Sequence, residues 1–444
     1  MNIALRTLLL AALVTTAGAC SPGADEKRPA SVVLISIDTL RPDHLGCYGY
    51  GKPTSPRIDA VCAQSVVFDQ AIAHAPSTLP SHASILTSLI PQHHQASFDN
   101  RRALPDEITT LAEVLAEEGY RTAAFTGGGQ IDPLFGLDQG FEQYTVPAAD
   151  DFEATVDAAL AWLDDLEDEP FFLFLHSYQP HHPYDPAPEA LALFEQGYDG
   201  PLAGAVNVHQ IKAINANDEA LPAADLDHVV AAYDAEIREV DNAFGRLADA
   251  LDARGLLEPS VLVFTSDHGE EFGEHGFVGW HSHTFFEELL RVPLFVKYPK
   301  GGPTPQRVER MVRSIDIAPT VLKAIGSRVP ESFSGIDLAV FSSAREVPPL
   351  VAVGRLDRVD RARVSFVRDG RFKLERVVSR RQRLFDLIDD PAEAWDASSN
   401  YPEEVSRLIA IYEDALASRT AAQGTAIEPG DALRKELEDL GYIQ

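Results

Sequence analysis

Residues 31–50, SVVLISIDTLRPDHLGCYGY, decide how the rest of the chain is read. Val32 to Ile37 form an unbroken apolar run, as expected of a strand covered on both faces. Such strands belong to mostly parallel sheets with helices on either side. Asp38 then falls just beyond the strand's carboxyl end, where open α/β sheets gather their ligands. A lone Asp there can equally cap a turn, so its weight comes from two later stretches.

The first is HAPSTLPSHASILTSLIP, His74 to Pro91. Pro80 suits the first position of a helix that continues through Ile85 and Leu89. Thr78 is thereby expected at a helix start, where unpaired N–H groups and the dipole favour an anion. Ser77 or Thr78 also fits a plain N-cap. The second is VLVFTSDHGE from Val261, a buried strand ending in Asp267 and His268. Two carboxylates, an imidazole and a hydroxyl from three segments suit one divalent cation (Ca, Mn or Zn, with room for a second), and such a cation can turn the hydroxyl into a nucleophile.

More imidazoles cluster nearby. FFLFLH reads as another buried strand ending at His176, and HSYQPHHPYDP reads as a loop because Pro180 and Pro183 interrupt it. His181 is carried there. WHSHTFFEELLRVPLFVKYP adds His281 and His283 ahead of a further strand. His176, His181, His281 and His283 are the candidates for protonating a leaving group or holding anion oxygens.

Around these lie amphipathic helices over 105–119 and 152–166, an unpatterned stretch over 186–225, and a long helix from Val230 to Gly255. Further on, FVRDGRFKL predicts a hairpin at Asp369-Gly370, RLFDL another strand, and 401–418 a helix, together a small antiparallel subdomain.

With 444 residues and 45% hydrophobic content the chain can bury a large core. A net charge of −31 argues against nucleic acid as a partner, since phosphate contacts need clustered Lys and Arg. The first 19 residues read as an export signal: Arg6, then an apolar Leu8–Ala19 segment too short to span a bilayer. AGAC resembles a lipobox, with Ala17 where Leu is more usual, and Cys20 as the lipidated first residue. An ordinary cleaved signal is the alternative. The expected location is periplasmic or cell-surface, with membrane contact only through that anchor. Cys47 and Cys62 are compatible with one disulfide or with two buried thiols.

Jointly, SIDTLRPDHLGCYGY, TLPSHASILTS, YDAEIREVD, TSDHGEEFGEHG, EELLRVPLFV and LFDLIDDPAEAW resemble the sulfatase family of the alkaline-phosphatase-like superfamily. The resemblance implies an α/β/α sandwich around a mostly parallel sheet, with a small C-terminal antiparallel sheet. With the export signal (1–19) and a polar tether (20–30) ahead of it, the expected layout is a catalytic domain (31–340) and a C-terminal subdomain (341–444). The resemblance also implies a divalent metal held by Asp38, Thr78, Asp267 and His268.

Departures from the family pattern shape the expected chemistry. Thr78 stands where sulfatases carry the Cys that is oxidised to formylglycine, and His82 stands where their Arg would be. Thr39 replaces a second Asp, and the loop near Gly127 lacks the usual Lys. A sulfated threonine is close to a dead end, whereas a phosphothreonine can be hydrolysed. The expectation is therefore a metal-dependent hydrolase of small phosphate mono- or diesters, with Thr78 as nucleophile. The rivals are a sulfatase working without formylglycine and a non-catalytic ligand-binding lipoprotein.

Overall fold

In the computed structural model, which describes residues 30–147, 151–217, 219–343, 350–357, 363–377 and 382–442, Val32–Ile37 forms strand β1 at the centre of an eight-stranded sheet. The export signal and Cys20 lie outside the described residues. The other strands of the first two sheets are β2 (Val66–Ile72), β3 (Arg121–Phe125), β4 (Gln143–Thr145), β5 (Phe171–Ser177), β6 (Val261–Thr265), β7 (Glu271–Phe272), β8 (Val278–Trp280), β9 (Arg291–Lys297) and β10 (Gln306–Arg313). The large sheet runs β10-β2-β9-β6-β1-β5-β3-β4. Strand β9 is antiparallel to β2 and β6, and every other pairing is parallel.

Side chains alternate between the two faces of the sheet. Val32 and Leu34 of β1, Phe172 and Phe174 of β5, and Val261 and Val263 of β6 point to a core shared with the helices Thr78–Thr87, Leu111–Glu117 and Ile317–Ala324. Val33, Ile35 and Ile37, with Leu173, Leu175, Leu262 and Phe264, face the helices Phe152–Asp164 and Ala223–Ala253. This is the α/β/α sandwich. Register then places the site: Ser36 pairs with His176 and with Thr265, so Asp38, His176 and Asp267 emerge together at one edge.

Several elements depart from the sequence expectation. The helix expected over 105–119 is only Leu111–Glu117, started by a capping box in which Thr110 and Glu113 satisfy each other's backbone N–H groups. The stretch 186–225 contains two short helices, Pro188–Leu191 and Val208–Asn215. The long helix begins at Ala223, ahead of Val230. Cys47 and Cys62 form a disulfide, with Cα atoms 6.5 Å apart. No helix among the described residues is long and apolar enough to cross a membrane.

The second region is the antiparallel sheet β11 (Ala352–Asp357), β12 (Arg363–Arg368), β13 (Phe372–Val377) and β14 (Gln382–Asp386), with the helix Pro402–Ala417 against it. After that helix the chain returns to the large domain. Backbone bonds join Ala422 to His93, Thr425 to Ala103 and Ile427 to Arg101. A last helix, Asp431–Asp439, unmarked in the sequence reading, buries Leu437 and leads to the buried Leu440.

Candidate active site

Asp38, Asp267 and His268 are fully buried, and their ligand atoms lie within 4.8 Å of one another. His268 Nε2 is 3.4 Å from Asp267 Oδ2 and 3.8 Å from Asp38 Oδ1, while His176 Nε2 is 3.5 Å from Asp38 Oδ2. Buried polar atoms are normally hydrogen-bonded. Here Asp38 Oδ1, Asp267 Oδ2, His176 Nε2 and His268 Nε2 all have no hydrogen-bond partner. His268 Nδ1 donates to the Gly269 carbonyl (2.9 Å), which leaves Nε2 its lone pair, as in a metal-ligating histidine. Orphaned hard oxygens and an oriented imidazole, turned towards one point, fit a divalent cation.

Electrostatics agree with that. Burial, then the Asp267 charge, push the Asp38 carboxyl well above the carboxylate range. Burial works against charge on His268, but Asp267 and Asp38 outweigh it and raise its pKa. Thr39, where a second Asp was missing, adopts a left-handed φ of 53°, strained for a β-branched residue. Tyr233 Oη donates to its carbonyl (2.8 Å) and holds the turn.

Thr78 is fully buried, and its Oγ1 donates to Asp38 Oδ2 at 3.2 Å. It is itself the first residue of the helix, two places ahead of Pro80, which was expected to lead. Ser77 occupies the N-cap position without a side-chain capping bond. The Leu79 N–H is taken by Gln130 Oε1 (3.2 Å) and Pro80 has none, so the helix start offers an anion fewer free donors than expected. His82 bonds the Thr78 carbonyl (2.9 Å) and Ser36 Oγ (2.9 Å). Burial pushes it down to about 4, so it supplies no cation in place of the family's Arg.

The other histidines split. His176 sits beside Asp38, and burial lowers it to about 4. His181, His182 and His281 form a second buried group with ligand atoms within 4.8 Å of one another. Burial holds His182 at about 4 and the other two well below the usual imidazole range. His281 Nδ1 meets Glu270 Oε1 at 2.8 Å, and neither ring nitrogen of His182 has a hydrogen-bond partner. His283 goes instead to Glu271, 2.7 Å away, at the rim. His182, His281 and His283 line a cavity of about 510 Å³, a ligand-sized space, whose lining also includes Phe98, Asp99, Trp280 and Tyr442 but no Lys or Arg.

Three contributors escaped sequence reading. His182 stood in a noted run but had no distinguishing spacing. Gln130 follows a glycine loop that looked empty. Tyr442 has its hydroxyl 3.1 Å from Thr78 Oγ1 and 3.0 Å from His181 Nε2, and nothing in its local sequence marks it.

Residues 30–327 match the sulfatase family, so the chain belongs to that family, whose members are hydrolases of sulfate and phosphate esters. Among characterised relatives it is 27% identical over 349 residues to an ulvan-active sulfatase of Formosa agariphila, covering 71% of this chain and 65% of that protein's own length. Two solved structures share the fold at 20% identity. One is a protein in complex with its substrate D-glucosamine-2-N,6-O-disulfate (TM-score 0.74, covering 88% of this chain and 99% of that one). The other is the phosphonate monoester hydrolase of Agrobacterium radiobacter (TM-score 0.73, covering 90% and 100%).

Proposed function

We propose that this chain hydrolyses phosphate esters, with Thr78 as the nucleophile. One observation carries this: a buried threonine hydroxyl, at the position where sulfatases oxidise a cysteine, lies 3.2 Å from Asp38 beside the orphaned donors of Asp38, Asp267 and His268. Those three residues with Thr78 would hold one divalent metal, which would supply Lewis-acid charge and lower the pKa of a bound hydroxyl, a gain of several kcal/mol. Thr78 Oγ1 passes its proton to Asp38 Oδ2, which already accepts its hydrogen bond, and attacks phosphorus in line. The P–O bond to the alcohol breaks, the alkoxide taking a proton from water to leave as the alcohol, and a phosphothreonine forms. Water then attacks that phosphorus, releasing phosphate from a monoester or the remaining phosphomonoester from a diester, and restoring the hydroxyl. His281, which lines the cavity, is placed to hold a non-bridging oxygen.

A threonine sulfate lacks the carbonyl-reforming exit that a formylglycine hydrate has, which favours phosphorus over sulfur. The carboxylates of Asp38 and Asp267 balance a divalent ion, and the cavity lining has no Lys or Arg. A singly charged phosphodiester is thereby favoured over a doubly charged monoester. A formylglycine-free sulfatase is the second reading, favoured by the sulfate ester in the structural neighbour's complex. The chain is further read as exported and lipid-anchored at Cys20; Cys20→Ala should then leave the membrane fraction, and unchanged membrane association would reject the anchor.

Turnover of phosphate mono- and diesters and of sulfate esters, with Mn²⁺, Ca²⁺ or Zn²⁺, tests the activity. Rapid quenching with a phosphate ester should find a phosphoryl group on the Thr78 peptide. Thr78→Ala should be inactive and Thr78→Ser partly active. Wild-type turnover by Thr78→Ala places the nucleophile elsewhere.

A further inference from the structure

Thr78 has a neighbour from 364 residues away in the chain, Tyr442. His181 Nδ1 meets the His182 carbonyl and so carries the ring's proton. His181 Nε2 is therefore an acceptor, and the Tyr442 hydroxyl gives it its hydrogen at 3.0 Å. A phosphorus atom poised for attack lies about 3–3.5 Å from the attacking oxygen. An oxygen on that phosphorus comes within reach of a hydroxyl that is itself 3.1 Å from Thr78 Oγ1. Rotation of the O–H alone redirects its hydrogen.

We propose that Tyr442 is a catalytic residue whose hydroxyl donates a hydrogen bond to a non-bridging oxygen of the ester as Thr78 attacks, and that the segment 431–442 is a fixed wall of the substrate cavity. This rests on Thr78 being the nucleophile. The opposite role, a plug that must leave, fits the segment poorly. Leu437 and Leu440 are buried, and Glu436 Oε1 accepts the Gly129 N–H at 2.5 Å. Gly129, at φ 57°, leaves no space for a Cβ: one would lie 2.4 Å from Tyr178 Oη and 2.8 Å from Leu440 Cδ1. Tyr442 lines the cavity while about 510 Å³ remains open beside it, so a ligand can enter with the wall in place.

Tyr442→Phe removes only the hydroxyl and keeps the ring against Phe98 and Tyr178, at 5.7 and 6.3 Å. In metal-loaded protein we expect kcat to fall by about 10²-fold and inorganic phosphate, measured by calorimetry, to bind about 10-fold more weakly, with Tm unchanged. Wild-type kcat or wild-type phosphate affinity in Tyr442→Phe overturns the proposal. So does faster turnover, which would mark the segment as a plug. Thr78→Ala assayed in parallel separates the two ideas. If it turns over like the wild type, the nucleophile assignment fails and the role of Tyr442 falls with it; if it is dead while Tyr442→Phe is unimpaired, Tyr442 alone is wrong.

Discussion

Two of the buried charged groups among the described residues are built on opposite plans. At the junction between the sheets, Arg368 meets Glu287 (2.9 Å), and Lys373 meets Glu393 (2.6 Å) and Glu287 (3.3 Å). Two cations face two carboxylates there, and the Glu287 N–H adds a bond to Glu393 Oε2 at 2.8 Å. At the carboxyl edge of the large sheet, Asp38 and Asp267 have imidazoles beside them and lone pairs without hydrogen-bond partners. A buried group balanced from within serves the fold. One left unbalanced is completed from outside, which is why it marks the site.

That contrast can be broken by substitution. Asp267→Ala should lower metal occupancy and reduce turnover by about 10³-fold or more, matching the several kcal/mol a Lewis acid supplies, with the fold retained. Unaltered occupancy by elemental analysis would remove Asp267 from the ligand set. Lys373→Met should do the reverse, lowering unfolding free energy by about 3–5 kcal/mol because Glu393 loses the ammonium beside it and Glu287 keeps Arg368 alone, while metal occupancy stays at the wild-type level. Denaturant unfolding decides it, and a loss under 1 kcal/mol would show that the junction is not held by charge.

Glu287 sharpens the comparison through pH. Burial alone would raise its carboxyl, but Arg368 and Lys373 outweigh burial and hold it at about 2, against 4.5 when unfolded. Its stabilisation is therefore full above pH 4.5 and is lost as pH falls towards 2. Glu287→Gln should flatten the decline of stability over that interval; an unchanged acid limb argues against the assignment. The smallest effect is expected at Ser77. An N-cap serine usually contributes about 1 kcal/mol, but this one makes no capping bond, so Ser77→Ala should shift stability by less than about 0.5 kcal/mol.

The central strands were legible because both faces of β1, β5 and β6 are covered, which writes a continuous apolar run into the sequence. Asp38, Asp267 and His268 were legible because they follow such runs. The hairpin at Asp369-Gly370 was legible from its turn residues, as the pairing of β12 with β13 confirms. The start of the Thr78 helix was misplaced because Pro80 is tolerated anywhere in a first turn, not only at its first position. Helix 105–119 was drawn too long because its apolar spacing runs past the true cap at Thr110. His182 and Tyr442 escaped because their roles come from contacts across the fold, and no local pattern encodes a partner 364 residues distant.

That separation also sets a timetable for the newly made chain. Synthesis at about 5–20 residues per second brings Tyr442 out roughly 20–70 s after Thr78. Until then a nascent chain has its threonine but lacks the tyrosine beside it. Closing a contact over so long a loop is slow, since the intervening sheet must be ordered first. Truncated or half-made copies of this protein are thereby expected to be poor catalysts, however well their first three hundred residues have folded.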